Sequence, residues 1–279
     1  MAQAVVTGAA GAIGAAICRR LARNGYDILA VDIDEVGLKA LCEDASARIM
    51  PYPCDITDPP RTREIATAVG CRCELLVHAA GVVVTTPFEQ VATDEIDREV
   101  GVDMVGPMLL THTLFPALRA AGGHIVAVVS LASMLPLAEC PGYSASKFGL
   151  RGFLLSLAAG TRRTGVQVSI VNPGAVDTPM LRYEAATGGS PLAFLGTPLA
   201  ADDIAERVVA LVNRPRVETN VPGADGWLVK IGMLAPGVTL RLLPHIGRLA
   251  RRNLARYRAR YGIPGGSERG DDPAGNVIS

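Results

Sequence analysis

The chain has 279 residues, of which 49% are hydrophobic, 19% charged and 4% aromatic, and its 27 Lys and Arg balance 27 Asp and Glu. That apolar content suits one large core and excludes a chain disordered throughout, which would combine low hydrophobicity with high net charge. A net charge of zero offers no global reason to expect a nucleic-acid partner. The six cysteines are scattered, and Cys71 and Cys73 form a C-x-C pair with no second pair or His cluster nearby, so no metal site is expected. No basic leader follows Met1, and the uncharged run at 120–138 is broken by Gly122, Gly123 and Pro136. A cytoplasmic protein is expected.

In chain order, runs rich in Val, Ile, Leu and Ala occupy residues 4–7, 28–31, 48–50, 74–77, 124–130 and 166–171. Their continuous apolar character is that of strands buried on both faces. Helical patterns over 13–24, 35–43, 59–69, 93–121, 143–164 and 201–213 alternate with them. This predicts an α/β, doubly wound parallel sheet of Rossmann type, a single domain with a helical C-terminal extension. Residues 217–221 are interrupted by Glu218, Thr219 and Asn220, so no seventh strand is predicted there. Residues 1–225 read as a dinucleotide-binding catalytic body, and 226–279 as a basic amphipathic extension with a polar, disordered tail after Ile263.

The first run leads directly into Thr7-Gly8-Ala9-Ala10-Gly11-Ala12-Ile13-Gly14 and then a helix. Gly8 permits a tight turn, Gly11 lets backbone approach a pyrophosphate, and Gly14 lets the helix pack closely. The helix start offers unpaired amides and a positive dipole end to phosphates. Asp32 closes the second run eighteen residues beyond Gly14, where an acid meets the adenosine ribose hydroxyls of NAD. No cation lies in positions 8–17, and Ile33 follows Asp32, which favours NAD over NADP. Asp55, ahead of Ile56 and Thr57, suits either the adenine or a helix cap.

Tyr143 and Lys147 stand four apart on a predicted helix, so their side chains share one face. A nearby ammonium favours the phenolate, which predicts a lowered tyrosine pKa. Ser130 ends the fifth run, thirteen residues before Tyr143, where the ligands of such sheets sit. Its hydroxyl would hold a substrate oxygen while Tyr143 moves the proton and a dinucleotide takes the hydride.

With these motifs in order, residues 4–215 resemble the short-chain dehydrogenase/reductase family. The resemblance implies that Ser130, Tyr143 and Lys147 form the active site and that Lys147 also holds the nicotinamide ribose. It places Asp32 as the NAD selector and Asp55 beside adenine. It further implies cofactor contacts from Ala10, Ala12, Ile13, Ile33 and Ile56, from the turn Pro173–Gly174, from Val176, and from Thr178 at the carboxamide. A homodimer or homotetramer built on the helices around 93–121 and 143–164 is implied as well. Two departures stand out. The family's Asn-Asn-Ala-Gly motif is here His78-Ala79-Ala80-Gly81, and the family's active-site Asn falls on Asp103. A carboxylate there would either preserve the family's water link to Lys147 or pair with Lys147 and weaken its effect on Tyr143; activity is expected to survive.

The loops expected over the nicotinamide are apolar, at residues 133–137 and from Pro179 through Tyr183 to Leu192, Phe194 and Leu195, with Arg182 the one candidate cation. They suggest a lipophilic, cyclic or steroid-like secondary alcohol or ketone, or else loops packed on their own core. The alternative reading of the whole chain is a catalytically weak dinucleotide-binding regulator or scaffold, motivated by Asp103 and the His78–Gly81 turn. The charge balance is a cancellation: residues 1–225 carry 18 bases and 24 acids, whereas 226–267 carry eight bases and no acid. Leu240, Leu243, Gly247, Ala250, Leu254, Tyr257 and Tyr261 form an apolar stripe opposite arginines, on a helix expected to start near His245 after Pro244. That helix either docks on the body or a partner subunit, contacts a membrane surface through 240–261, or forms a nucleic-acid patch; nucleic acid is the least favoured.

Overall fold

A computed structural model describes residues 2–44 and 47–264; the tail expected to be disordered lies almost wholly outside them. The order of elements begins β1 (Ala2–Thr7), α1 (Ala12–Arg23), β2 (Tyr26–Asp32), α2 (Glu35–Asp44), β3 (Ile49–Pro53), α3 (Pro59–Val69) and β4 (Leu75–His78). It continues with α4 (Thr93–Val100), α5 (Gly106–Ala121), β5 (His124–Val128), α6 (Pro141–Gly160), β6 (Gln167–Pro173) and α7 (Pro179–Thr187). The chain then forms α8 (Ala201–Asn213), β7 (Glu218–Val221), α9 (Gly223–Gly232) and α10 (Pro236–Tyr261).

The strands form one parallel sheet in the order β3-β2-β1-β4-β5-β6-β7, with helices on both faces. The strand order reverses next to β1, so the ends of β1 and β4 open a crevice at the carboxyl edge of the sheet. The continuous apolar strands have the predicted cause. On β1 the side chains of Ala4 and Val6 enter one core layer, and Val5 enters the other.

Four expectations are corrected. β7 exists, paired in parallel with β6. It is polar because it is an edge strand whose side chains make bonds. Glu218 accepts from Arg151 at 2.5 Å and Lys230 at 2.6 Å, and Asn172 donates to Asn220 at 3.1 Å. The helix predicted over 93–121 is broken by a π-turn at Gly101–Val105, which carries Asp103. Residues 179–187, read as loop, form α7. Finally, α10 starts at Pro236 and runs through Pro244. Leu240, whose carbonyl the proline leaves unbonded, is on the exposed flank of the helix, so water can replace the missing donor.

Candidate active site

Gly8 turns the chain with φ of +65°, and a Cβ on it would stand 2.6 Å from the Ala80 backbone. A Cβ on Gly14 would stand 1.9 Å from the Gly8 carbonyl oxygen. Both positions therefore require glycine. The N-cap of α1 is Gly11; no side chain caps the helix and its first turn has no acid, so its leading amides keep their capacity for an anion.

A single cleft runs from this turn. Gly8, Gly11, Ala12, Ile13 and Gly14 line its floor, and Asp32 and Ile33 one end. Asp55, Ile56, Ala79, Ala80 and Gly81 form a wall, with Thr178, Pro179 and Met180 at the rim. Asp32 is buried and its two oxygens accept from the amides of Ala10 at 2.9 Å and Asp34 at 3.0 Å, so it also holds the glycine turn in place. Asp55 is exposed and accepts from the Thr57 amide at 2.8 Å, so it does not cap a helix. Thr7 accepts from the amides of Ala79 and Ala80 at 3.3 and 3.4 Å, which ties the wall to β1. The altered turn is accommodated, because buried His78 bonds Thr111 on α5 at 2.8 Å. Among the expected cofactor contacts, Ala10, Tyr143, Lys147, Pro173, Gly174 and Val176 are not part of the cleft lining. Val176 lies in the core and pairs with Leu199 in an isolated bridge.

The reacting end lies next to Gly81. A Cβ on Gly81 would stand 3.2 Å from Lys147 Nζ and 3.4 Å from Asp103 Oδ1, so the wall of the cleft backs directly onto that pair. Lys147 Nζ lies 5.1 Å from the Tyr143 ring centre. Ser130 follows β5 by two residues and caps the short turn Leu131–Ser133, accepting from the Ala132 amide at 3.0 Å. It is near enough to the Tyr143 phenol to favour its ionised form.

Asp103 changes the electrostatics. Its carboxylate is fully buried, pairs with Lys147 at 3.0 Å and accepts from the Val82 amide at 2.8 Å. Lys147 Nζ lies on Oδ2 and the Val82 amide on Oδ1, so each carboxylate oxygen has its own partner. The expected lowering of Tyr143 is therefore corrected. Burial, then the charges of Asp103 and Glu184, hold the phenol well above its ordinary value, and the Ser130 hydroxyl opposes them only in part. Of the two outcomes foreseen for a carboxylate at 103, the structure shows the pairing.

Two carboxyls at this site were not anticipated. Glu99 precedes Asp103 by four residues, is buried, and accepts from the Val84 amide at 2.8 Å. Residues 82 and 84 of an extended segment thus each donate to one carboxyl of the opposite helix. Burial raises Glu99 to about 7, and Asp103 adds to the rise. Glu184 on α7 is also raised to about 7 by burial. The four-residue spacing of Glu99 and Asp103 was a usable signal; Glu184 had none.

The apolar loops divide. Leu181 and Phe194 are buried beneath α10 against Leu254 and Tyr257, so they do not line the cleft. Met134 is buried as well, whereas Tyr183 and Leu195 are exposed. Arg182 pairs with Asp177 at 3.1 Å and lies 4.7 Å from the Tyr261 ring centre, which engages it away from the substrate side.

The buried carboxyls carry a pH signature. Glu99 ionises near 7 in the fold but near its ordinary 4.5 when unfolded, so its contribution to stability falls as pH rises between those values. His78 and His124, pushed by burial from 6.5 to about 4, act in the opposite sense, since the unfolded chain takes up protons first as pH falls through that window. Glu99→Gln removes one side of this balance. The variant should gain stability relative to the parent as pH rises from 4.5 to 7, by up to about 3 kcal/mol, measured by urea unfolding at each pH.

The family model "short chain dehydrogenase" matches residues 2–188. Mouse (Mus musculus) retinol dehydrogenase 5 is 34% identical over 185 residues, covering 64% of this chain but only 58% of that protein. D-threitol dehydrogenase of Mycolicibacterium smegmatis is 35% identical over 185 residues, covering 63% and 71%. The 1-deoxy-11-beta-hydroxypentalenate dehydrogenase of Streptomyces avermitilis is 33% identical over 215 residues, covering 74% and 78%. Among solved structures, a metagenomic short-chain oxidoreductase in complex with NADP superposes with a TM-score of 0.66 at 31% identity, covering 78% of this chain and 94% of that one. With the family model spanning the glycine turn, the Ser130–Tyr143–Lys147 cluster and Thr178, this chain belongs to the short-chain dehydrogenase family.

Proposed function

We propose that the protein is an NAD-dependent oxidoreductase that interconverts a secondary alcohol and a ketone on a largely apolar frame. The observation that supports this reading is that Lys147, 5.1 Å from the Tyr143 ring centre, comes within 3.2 Å of where a Cβ on Gly81 would stand, and Gly81 lines the cleft that begins at the Gly8–Gly14 turn. The cleft suits a dinucleotide: Gly8 and Gly14 leave no room for a side chain, and the α1 amides are free for the pyrophosphate. Bound there, the nicotinamide would accept or supply the hydride.

The chain's own part is proton transfer and positioning. Ser130 holds the substrate oxygen, Tyr143 exchanges a proton with it, and Thr178 at the rim holds the carboxamide end. Because Tyr143 stays protonated near neutrality, it is ready to donate to the oxygen of a ketone undergoing reduction. Alcohol oxidation needs the phenolate and should rise with pH. Glu184, half-buried and raised to about 7, suits a second polar group on the substrate. Retinol and hydroxypentalenate, for which two relatives are named, have apolar frames, whereas threitol, for which a third is named, is a polyol. The apolar rim at Pro179 and Met180 favours the former. Assembly as a homodimer or homotetramer through α5 and α6 belongs to the same reading; these elements and the π-turn expose Met108, Phe148 and Val105.

The preference for NAD rests on Asp32, whose charge at the end of the cleft repels a 2′-phosphate. Asp32→Asn keeps the size and an acceptor for the Ala10 amide but removes the charge. It should narrow the NAD:NADP ratio of kcat/KM by roughly 10-fold or more. Absorbance at 340 nm across apolar ketones, secondary alcohols and polyols, with each nucleotide, tests the whole reading; a parent protein that prefers NADP would overturn the argument from Asp32. One observation favours the second reading, a catalytically weak dinucleotide-binding regulator: Asp103 occupies the charge of Lys147. Nucleotide binding without turnover of any substrate, restored by Asp103→Asn, would support it.

A further inference from the structure

We propose that α9 and the first half of α10 form a docking surface for an anionic lipid bilayer. On α9, Trp227, Leu228 and Ile231 are each at least 60% exposed, and Leu234 in the following turn is 84% exposed. On α10, Val238, Leu242, Ile246 and Leu249 are exposed and recur at spacings of four, four and three, which makes one strip along the helix. This strip is distinct from the stripe noted in the sequence. Leu254 and Tyr257 of that stripe are buried against α7 and residues 191–194, and Ala250 is buried as well. The outward apolar surface therefore lies at 227–249, not at 240–261.

Charge selects the occupant. From Gly226 to residue 267 there are eight Lys and Arg and no acid. Lys230 is engaged by Glu218 and Arg258 by the Ala185 carbonyl, but Arg241, Arg248 and Arg252 are exposed on a helix without acids, and the one acid of α9, Asp225, lies in its first turn. At about 100° per residue these three arginines flank the apolar strip on the side away from the docked stripe. A second copy of the same face would bring cations against cations, and a nucleic acid would leave eight apolar side chains unused. An anionic bilayer satisfies both, taking the apolar strip into its acyl boundary and the arginines among its headgroups. The surface is not a span, since no helix of the described residues is long and apolar enough to cross a membrane.

The helix that carries the strip is anchored at its C-terminal half. Tyr257 donates to Asp177 at 2.8 Å, Tyr261 also donates to Asp177, and Asn253 donates to the Phe194 carbonyl at 3.0 Å. These contacts fix α10 beside α7, whose first turn forms the rim of the cleft. Docking stands whether or not the cleft turns over an alcohol.

Trp227 is the only tryptophan of the chain, so its emission reports this surface alone. With the full chain and vesicles of phosphatidylcholine plus phosphatidylserine, its emission should shift to the blue and be quenched by brominated acyl chains, an effect that salt reverses. Phosphatidylcholine alone should bind far less. Arg241→Gln, Arg248→Gln and Arg252→Gln together should weaken co-sedimentation on the order of 100-fold, at ~1 kcal/mol per charge. Leu228→Ser with Leu242→Ser should abolish the quenching without altering the helical circular dichroism. The proposal is overturned if the protein ignores anionic vesicles, or if it sediments with them while Trp227 goes unquenched. It is equally overturned if the lipid-free emission is already blue and reddens on dilution, which would assign the face to a second copy.

Discussion

Tyr143→Phe should lower turnover by roughly 10²–10⁴-fold while leaving NAD affinity unchanged. The substitution removes one hydroxyl and nothing else. The ring keeps its place 5.1 Å from the Lys147 ammonium, and the cleft from Gly8 to Asp32 is not touched. Calorimetric titration with NAD, beside kcat at saturating substrate, separates the two effects. The parent's pH profile gives the sign of the proton transfer. Tyr143 is held above its ordinary value by burial first and then by Asp103 and Glu184, so oxidation should rise with pH toward that ionisation while reduction falls. Unimpaired turnover in the variant would move the proton to another group and remove the main support for Tyr143 as acid and base.

What the sequence disclosed follows physical lines. Strands buried on both faces are continuous apolar runs, so β1, β2, β4, β5 and β6 were evident. An edge strand is free to be polar, which is why β7 was missed: Glu218 and Asn220 are there to bond Arg151 and Asn172. A π-turn changes the spacing of backbone bonds without changing composition, so the break at Gly101–Val105 left no mark within an otherwise helical pattern. The Tyr143–Lys147 pair is local, four residues apart, and was legible. What neutralises Lys147 is not local, because Asp103 arrives from another helix across the segment of Val82. The sign of the Tyr143 shift depends on that long-range contact and on the depth of burial, and spacing alone pointed the wrong way. The same holds for Glu184, which reaches the site only because α7 forms where a loop was expected.

Asp103→Leu should cost about 3–5 kcal/mol of stability, because it leaves the Lys147 ammonium buried without its partner and the Val82 amide without its acceptor. Asp103→Asn is the informative contrast. It keeps an acceptor for Val82 and removes only the charge. Glu99 lies within the influence of both groups: Asp103 raises it and Lys147 lowers it. Neutralising residue 103 therefore favours the ionised form of Glu99, which becomes the counter-charge of Lys147. Asp103→Asn should accordingly be much less destabilised than Asp103→Leu in thermal unfolding, and adding Glu99→Gln should remove that tolerance. The catalytic consequence has a definite sign. Asp103 is among the charges that hold the Tyr143 phenol up, so its neutralisation should move the oxidation profile to lower pH. A profile that does not move would mean that Asp103 secures Lys147 in the fold without influencing the proton on Tyr143, and burial with Glu184 would then account for the raised phenol.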